Sequence, residues 1–426
     1  MYKIDSHPII KIPEPLTHIF QYNGMVISGE KGFTIAAALH RAGYPIHSHS
    51  LTNRSRSLEC GIGKCSACEM LVDGEIRRIC ITPADGVREV SEIPHNYMGA
   101  EVPFIKTEQV KIFKTDVVIV GAGPAGLATR EILNQHGVDN IVIDSNPEVG
   151  GQLNMQTHQF FFFEKEKKYG GLRGFEISIL LAGENQSGIF LNCTVWDVFE
   201  GNRVAVKNFS TREVFYIDCS YFVVATGAVP FLPTFHNDDL PGVYTAAVIQ
   251  KMMNTELTLL GRNVLTVGAG NIGYLTSYQL TQAGANVKAI LEAQPKEGGF
   301  PVQANRVRRL GIPVLLSHIL LEALPNKEGN GIRGAVIAQC ENFAPIPGTE
   351  KVLEGIDAIN ICTGLMPDDA LLSKGYEVFG RRCYGAGDAL SIGEGTSAVL
   401  KGKQVAYEIL DSMRIRFAHA DHLLVA

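Results

Sequence analysis

Residues 116–126 read DVVIVGAGPAG, and residues 127–145 continue as LATREILNQHGVDNIVIDS. A short apolar run comes before glycines 121, 123 and 126, and a helix-forming segment and a second apolar run come after them. This order predicts a βαβ unit. Glycines spaced G-x-G-x-x-G between a strand and a helix let the backbone approach a pyrophosphate at the helix N-terminus. The stretch therefore predicts a dinucleotide-binding domain.

The same plan recurs at residues 263–293, where NVLTVGAG comes before GYLTSYQLTQAG and NVKAILEA. We expect the second phosphate loop to be formed by Gly268, Gly270, Asn271, Ile272 and Gly273. Glu292 ends the following strand, where an acid binds the ribose hydroxyls and favours NAD over NADP. The fold class predicted is α/β, with two Rossmann-like domains in tandem and an internal duplication.

The first site contains further motifs that resemble those of flavoproteins with two dinucleotide-binding domains. They are Gly150-Gly151-Gln152, Ala225-Thr226-Gly227 and the segment CYGAGDAL, which contains Gly387 and Asp388. The resemblance implies FAD at this site, with Asp144 on the adenosine ribose. It implies a cofactor-binding set of Gly121, Gly123, Pro124, Ala125, Gly126, Asp144, Gly151, Gln152, Val195, Ala225, Thr226, Gly227, Gly387, Asp388 and Thr396. Thr396 is expected to cap a late helix whose N-terminus faces the flavin.

Four cysteines lie within 21 positions: Cys60, Cys65, Cys68 and Cys80. Their spacing, C-x4-C-x2-C-x11-C, begins like that of plant-type 2Fe-2S sites, so these thiolates are the predicted metal ligands. A structural zinc site is the alternative, although zinc sites usually contain paired CxxC units. His40, His47 and His49 precede the quartet, and we expect them to be surface or helix-end histidines and not ligands.

The segment CGIGKCSACEMLVDGEIRRICITPADG resembles the 2Fe-2S domain of the small subunit of hydrogen cyanide synthase and of sarcosine oxidase alpha subunits. We expect a small β-grasp, ferredoxin-like module with a helix at FTIAAALHRAGY and a hairpin turning at Asp73-Gly74. The predicted domain limits are 1–100 for this module and 101–114 for a linker. Residues 115–232 and 367–426 form the FAD domain, and 233–366 form the second nucleotide domain.

The bulk properties exclude some functions. The net charge of −6 with no basic run gives no electrostatic footprint for nucleic acid or for an anionic membrane. The N-terminus lacks a signal-peptide pattern, and apolar stretches such as residues 221–229 are too short to span a bilayer. We therefore expect a soluble, cytoplasmic protein without membrane insertion. The other five cysteines, at 193, 219, 340, 362 and 383, are expected to be unreactive core residues.

Over nearly its whole length the chain resembles the alpha subunits of sarcosine oxidase, opine oxidase and related proline dehydrogenase complexes. The resemblance implies an FAD-dependent oxidoreductase that transfers electrons beside a flavin-containing beta subunit, which oxidises an amino or imino acid. Several relatives carry a cysteine-rich C-terminal extension that we expect this chain to lack, so a second iron-sulfur centre is expected to come from a partner or not to exist.

Two other functions remain open. A self-contained NADH-dependent reductase would use both nucleotide sites, although the glutamate usual after the loop in resembling reductases is replaced by Tyr274-Leu275-Thr276. A nucleotide-sensing scaffold would carry redox-silent cofactors. No catalytic base is identified, and the Phe160–Phe163 run is expected to be a core or interface segment.

Overall fold

The computed structural model describes residues 3–12, 17–97, 110–160 and 169–416. The chain divides into two units, one of residues 1–100 with 230–364 and one of residues 101–229 with 365–426. These limits lie beside the predicted domain boundaries. The grouping of the N-terminal module with the second nucleotide domain in one unit is a feature that the sequence did not predict.

The N-terminal module is a small mixed sheet with one short helix. Its elements are β1 (Thr17–Tyr22), β2 (Met25–Glu30), α1 (Ile35–Arg41), β3 (Ser48–His49), β4 (Ser55–Arg56), β5 (Glu69–Val72), β6 (Glu75–Arg78) and β7 (Glu89–Ser91). Five strands form the sheet in the order β2-β1-β7-β5-β6. Thr34 caps α1 by accepting a hydrogen bond from the Ala37 amide. Asp73 and Gly74 both have positive φ, which the predicted two-residue hairpin turn requires.

The first nucleotide domain begins with a long strand and ends its first segment in an antiparallel meander. Its elements are β8 (Lys111–Val120), α2 (Pro124–Gln135), β9 (Asn140–Ile143), a 3-10 helix (Gly151–Met155), α3 (Gly174–Ala182), β10 (Ile189–Phe190), β11 (Cys193–Phe199), β12 (Arg203–Asn208), β13 (Val214–Val224) and β14 (Ala228–Pro230). Residues 111–114, predicted as linker, belong to β8 because they pair with residues 215–218 of β13. This pairing partner is distant in sequence, so the local pattern did not show it.

The second nucleotide domain repeats this plan. Its elements are β15 (Val243–Thr245), α4 (Ala246–Asn254), β16 (Asn263–Val267), α5 (Asn271–Gln282), β17 (Asn286–Glu292), α6 (Pro301–Arg309), β18 (Val314–Leu316), β19 (His318–Pro325), β20 (Ile332–Glu341), β21 (Ala344–Pro345), β22 (Lys351–Glu354) and β23 (Ala358–Ile361). The chain then returns to the first domain through β24 (Leu365–Pro367), α7 (Ala370–Phe379), β25 (Cys383–Gly385) and α8 (Gly395–Ser412).

Strand order reveals the internal duplication. The parallel part of the first sheet runs β10-β9-β8-β13, with β25 beside the end of β13. The second sheet is parallel throughout and runs β18-β17-β16-β23-β15. In both, the strand before the glycine loop is central, with the second and third strands on one side. Each sheet therefore places its glycine loop at the carboxyl end of a central strand, where nucleotides bind.

Each unit has its own buried core. The two faces of the first nucleotide sheet are covered by separate apolar clusters, one of them containing α2 and α8. In the other unit, one continuous cluster contains Leu39 and Met70 of the N-terminal module together with Val248 and Met252 of α4. No helix among the described residues combines the length and hydropathy that crossing a bilayer requires.

The contact between α2 and α8 generates a prediction about stability. A Cβ built on Gly402 of α8 would lie 2.1 Å from the Ala125 carbonyl oxygen, and the Thr129 hydroxyl donates to the Gly402 carbonyl at 2.9 Å. Gly402→Ala forces the two helices apart, and we expect it to lower the free energy of unfolding by about 2 kcal/mol despite the better helix propensity of alanine. Thermal or urea unfolding measures the change.

Gln404→Ala, at an exposed position of the same helix, is the control and should change stability by less than about 0.5 kcal/mol. Equal stability of Gly402→Ala and the native chain would contradict the close helix contact.

Candidate functional site

The first glycine loop is held by contacts that only glycine permits. A Cβ on Gly126 would stand 1.9 Å from the Gly121 carbonyl oxygen, and one on Gly121 would stand 2.2 Å from the Ala225 carbonyl oxygen. Gly123 is the N-cap of α2, where no side chain caps the helix and an added Cβ would meet nothing within 4 Å. The first-turn amides of α2 are thus open to an anion, as a bound pyrophosphate requires.

Asp144 lies against this loop at the end of β9. One carboxylate oxygen accepts from the Ala122 amide at 2.6 Å, and the other accepts from the Asn146 amide at 2.8 Å. The residue is buried, so these bonds fix the carboxylate at the edge of the loop. The oxygen that faces Asn146 also accepts from the Asn146 side-chain amide at 2.9 Å. The oxygen that faces Ala122 keeps a further lone pair with which it could accept from a ribose hydroxyl.

The structure brings the other predicted flavin motifs to the same loop. Gly150 donates its amide to the Ala122 carbonyl at 2.7 Å, and a Cβ on Gly151 would lie 3.1 Å from Gly123 Cα. Gly387 packs on Ala125, where an added Cβ would lie 2.7 Å from the Ala125 Cβ. Four segments that are far apart in sequence therefore form one cradle around the start of α2.

The remaining predicted flavin residues lie at the margins of this cradle. Thr226 donates its hydroxyl to the Asp368 carbonyl, and Gln152 is exposed in the 3-10 helix after Gly151. Val195 lies on β11, two residues after Cys193, whose amide donates to the Asp144 carbonyl at 2.9 Å. Asp388 accepts from the Gly393 amide at 2.9 Å, and burial raises the pKa of its carboxyl.

The prediction that Thr396 caps α8 is wrong. The helix begins at Gly395 and its N-cap is Glu394, so Thr396 lies inside the first turn. The Gly-rich sequence IGEGTS has several possible helix starts, and a threonine is only one of the residues that favour an N-cap.

The second glycine loop reproduces the first one contact by contact. A Cβ on Gly273 would lie 1.9 Å from the Gly268 carbonyl oxygen, as for Gly126 and Gly121. The Glu292 carboxylate accepts from the Ala269 amide at 2.8 Å, as Asp144 does from Ala122. Gly270 is the uncapped N-cap of α5, which contains Asn271, Ile272 and Gly273 in its first turn.

A second glycine pair, missed by the sequence analysis, completes this equivalence. Residues 144–151 read DSNPEVGG and residues 292–299 read EAQPKEGG, so Gly298-Gly299 occupies the place of Gly150-Gly151. Gly298 donates its amide to the Ala269 carbonyl, and a Cβ on Gly299 would lie 2.7 Å from the Tyr274 ring. Aligning the two halves of the chain would have revealed the pair.

Tyr274, Leu275 and Thr276 are all buried within α5. The position where resembling reductases carry a glutamate therefore offers no acidic group to a bound nucleotide. Phe300 donates its amide to Asn271 Oδ1 at 2.7 Å, so the segment after the glycine pair closes over the first turn of α5.

The four cysteines lie together in the N-terminal module. Hydrogen bonds link the thiols of Cys60 and Cys65, of Cys68 and Cys80, and of Cys60 and Cys80. Donation from Cys65 and Cys80 holds the pKa of Cys60 far below its ordinary value, whereas the shared proton raises the pKa of Cys65. A site that already favours a thiolate suits metal ligation, which requires deprotonated sulfur.

The four thiols form one continuous series of hydrogen bonds in the order Cys65, Cys60, Cys80 and Cys68. In the part of the chain that the structure describes, no three His, Cys, Asp or Glu side chains converge on a single metal position. The Ile62 and Lys64 amides point at Cys60 Sγ, at 3.5 and 3.3 Å. Amides aimed at sulfur are the backbone arrangement expected of an iron-sulfur loop.

One face of α4 lies against the cysteine loop, a contact that no local sequence pattern indicated. The Thr245 hydroxyl, at the N-cap of α4, donates to the Glu59 carbonyl at 2.8 Å. A Cβ on Gly61 would stand 2.9 Å from Val248 Cα, and Lys251 Nζ donates to the Cys80 carbonyl at 2.6 Å. Because residues three apart share a helix face, these three residues form a single wall beside the cysteine loop.

The expectation of surface or helix-end histidines holds only in part. His40 lies in the last turn of α1, but it and His47 are fully buried, with ring centroids 5.0 Å apart. Burial lowers the pKa of His40 to about 4 and holds the pKa of His47 well below its ordinary value, so both rings are neutral. His49 is partly exposed and lies 2.7 Å from the Glu92 carboxylate. His40 is buried because α1 packs into the core of the N-terminal module.

The other five cysteines are in apolar surroundings, as expected. Burial raises the pKa of each of these thiols, namely Cys193, Cys219, Cys340, Cys362 and Cys383. Such thiols are poor nucleophiles. Of the phenylalanine run, Phe160 packs at the edge of the core of the first nucleotide domain, and residues 161–163 lie outside the described residues.

Two family models match this chain. Residues 115–382 match the model described as pyridine nucleotide-disulphide oxidoreductase, and residues 18–92 match the 2Fe-2S iron-sulfur cluster binding domain. The first match contains both glycine loops, and the second contains all four clustered cysteines.

Curated relatives include two sarcosine oxidase alpha subunits. That of Corynebacterium sp. (strain P-1) is 22% identical over 53% of this chain and 24% of its own length. That of Rhizobium meliloti (strain 1021) is 23% identical over 66% of this chain and 30% of its own length. The chain thus spans less than a third of the length of these relatives.

Among solved structures, L-proline dehydrogenase from P. horikoshii has a TM-score of 0.70 at 17% identity, covering 98% of this chain and 78% of that one. At this identity the likeness shows the fold. The structural similarity extends over both units, including the N-terminal module.

Loss of one clustered cysteine should separate the two cofactors. Cys65→Ser removes one of four proposed ligands, and we expect it to abolish the visible absorbance of the cluster while FAD stays bound, because the flavin motifs lie in the other unit. Absorbance and iron content measure the outcome. Cys340→Ser is the matched control, since serine can keep the bond that this thiol donates to the Ala293 carbonyl. Loss of flavin together with the cluster would contradict the assignment to separate units.

Loss of Asp144 should weaken flavin binding selectively. Asp144→Ala removes the charged acceptor at the loop, and we expect roughly 10- to 100-fold weaker FAD binding. Fluorescence titration of the flavin-free protein measures the dissociation constant. Glu292→Ala makes the same change at the second loop and should leave FAD affinity intact. Equal FAD affinity of Asp144→Ala and native protein would remove Asp144 from the site.

Proposed function

The chain belongs to the pyridine nucleotide-disulphide oxidoreductase family, and we propose that it is the electron-transfer subunit of a multi-subunit amino- or imino-acid dehydrogenase or oxidase. It is an FAD-dependent oxidoreductase with a 2Fe-2S domain. The observation that carries the proposal is the presence of two kinds of site in one chain, a dinucleotide cradle around α2 and a loop that brings four cysteine thiols together.

These two cofactors suit different electron steps. FAD supplies the capacity to accept a pair of electrons, and a 2Fe-2S cluster passes electrons singly. This chain's residues bind and orient them: the open N-terminus of α2 receives the pyrophosphate, Asp144 fixes the ribose, and Cys60, Cys65, Cys68 and Cys80 hold the irons. The N-terminus of α8 contributes a positive helix dipole in the segment that carries Asp388.

The similarity to sarcosine oxidase alpha subunits and to an L-proline dehydrogenase supports proline, sarcosine or an opine as the substrate class of the whole complex. No paired base and substrate-binding group stands out beside the proposed flavin residues among those described. We place substrate oxidation on a flavin-containing beta subunit of the amine-oxidase type. The reduced thiols that the cluster needs support a cytoplasmic location.

A second candidate is a self-contained NADH-dependent reductase. The complete second cradle favours it, because the Glu292 carboxylate and the Gly298-Gly299 pair reproduce the contacts of the first site. The buried Tyr274 at the position of the usual glutamate counts against hydride transfer there. This cradle would bind NAD or another adenine nucleotide whether or not it transfers hydride.

Anaerobic reduction of the purified chain distinguishes the candidates. We expect dithionite to bleach the flavin and produce the electron paramagnetic resonance signal of a reduced cluster, whereas NADH, proline and sarcosine leave the isolated chain oxidised. Adding the flavin-containing partner should then allow the amino acid to reduce both cofactors. Cys65→Ser serves as the control that shows flavin bleaching without a cluster signal.

Bleaching of the isolated chain by NADH would overturn the subunit proposal in favour of the reductase. In that case Glu292→Ala should weaken the NADH response, because it removes the ribose acceptor of the second site.

A further inference from the structure

Lys251 is the cation that the second nucleotide domain brings to the cysteine loop. It lies on α4 one helical turn after Val248, and its ammonium group donates to the Cys80 carbonyl at 2.6 Å. The positive charge of Lys251 therefore lies beside Cys80, one of the four proposed cluster ligands.

Two further contacts hold the helix that carries Lys251 against the cysteine loop. Thr245 and Val248 seat the same face of α4 on the loop through the Glu59 carbonyl and Gly61. Gly61 has a φ of 67°, and any side chain there would collide with α4. The helix is thus held at close range, and Lys251 reaches the cluster loop from a rigid element.

Glu256 is an acidic neighbour of Lys251. The fully buried Glu256 carboxylate accepts from the Thr34 amide at 2.9 Å, and burial raises its pKa while Lys251 and Arg41 oppose that rise. Arg41 also donates to the Thr258 hydroxyl at 2.8 Å and lies 3.0 Å from Glu30. Because Arg41 also faces Glu256, Lys251 is not the sole counter-ion of that carboxylate.

We propose that Lys251 is a positioning residue for electron transfer that stabilises the reduced state of the cluster and so sets its reduction potential. The inference rests on the proposed ligation of the cluster by the four cysteines. Reduction adds one electron, delivered by the reduced flavin in the proposed function, to a site that already carries four thiolates, and no bond forms or breaks. A fixed positive charge beside the sulfurs favours the more negative state, because potentials of such clusters follow net charge and burial.

Three substitutions separate the charge of Lys251 from its hydrogen bond. Lys251→Gln keeps an amide donor for the Cys80 carbonyl and removes the charge, Lys251→Met removes both, and Lys251→Arg keeps the charge. Redox titration of the full chain, followed by absorbance and electron paramagnetic resonance, gives the midpoint potential. Lys288→Met, which removes an exposed lysine from β17 in the same unit, is the control.

We expect the uncharged variants to make cluster reduction roughly tenfold less favourable, a shift of about 59 mV to more negative potential for one electron. Lys251→Arg and Lys288→Met should titrate near the native value. A native potential in Lys251→Gln, or loss of the cluster in all three Lys251 variants, would overturn the inference. Native protein without 2Fe-2S absorbance would instead overturn the proposed ligation, so the two failures are distinct.

Discussion

Both nucleotide domains depend on a close approach of backbone to backbone inside the glycine loop. In each glycine loop, the third glycine meets the carbonyl of the first at a distance where a Cβ would stand 1.9 Å from the oxygen. This approach sets the helix directly on the central strand and points its first amides outward. The carboxylate at the end of the next strand then reaches a loop amide, which fixes the loop against the sheet. Any side chain at Gly126 or Gly273 would displace the helix and the cradle with it.

The two similar nucleotide domains explain how nucleotides could bind, but they do not explain which reaction occurs at each site. Asp144 and Glu292 hold equivalent loop amides, and a glycine pair follows each at the same interval. The copies differ after that pair, where the first continues into a short 3-10 helix and the second into the longer helix α6. Tyr274 fills the space beneath Gly299 in the second copy. A shared fold therefore supplies two nucleotide cradles, while the groups around each cradle decide what reaction occurs there.

The features that could be predicted from the sequence were those that depend on a local pattern of residues. Each of these features needs a particular type of residue at a particular position, so the residue types alone indicate it. They are the glycine spacings, the cysteine spacing and the Asp73-Gly74 turn. Two features depend on partners more than 100 residues away in the sequence, namely the start of β8 and the contact of α4 with the cysteine loop. The burial of His47 depends on how the side chains of the small N-terminal module pack together. The Thr396 cap failed for a different reason, because several neighbouring residues could begin the helix.

The cluster module and the second nucleotide domain belong to one unit of the chain. A single core joins them, so the surroundings of the cysteines are built partly from residues that a domain alignment would assign to nucleotide binding. The helix that faces the cluster, α4, is tied to α5 by a buried hydrogen bond from Gln250 Nε2 to Gln279 Oε1 at 2.9 Å. Because α5 begins at the second glycine loop, two packed helices connect that loop to the cysteines.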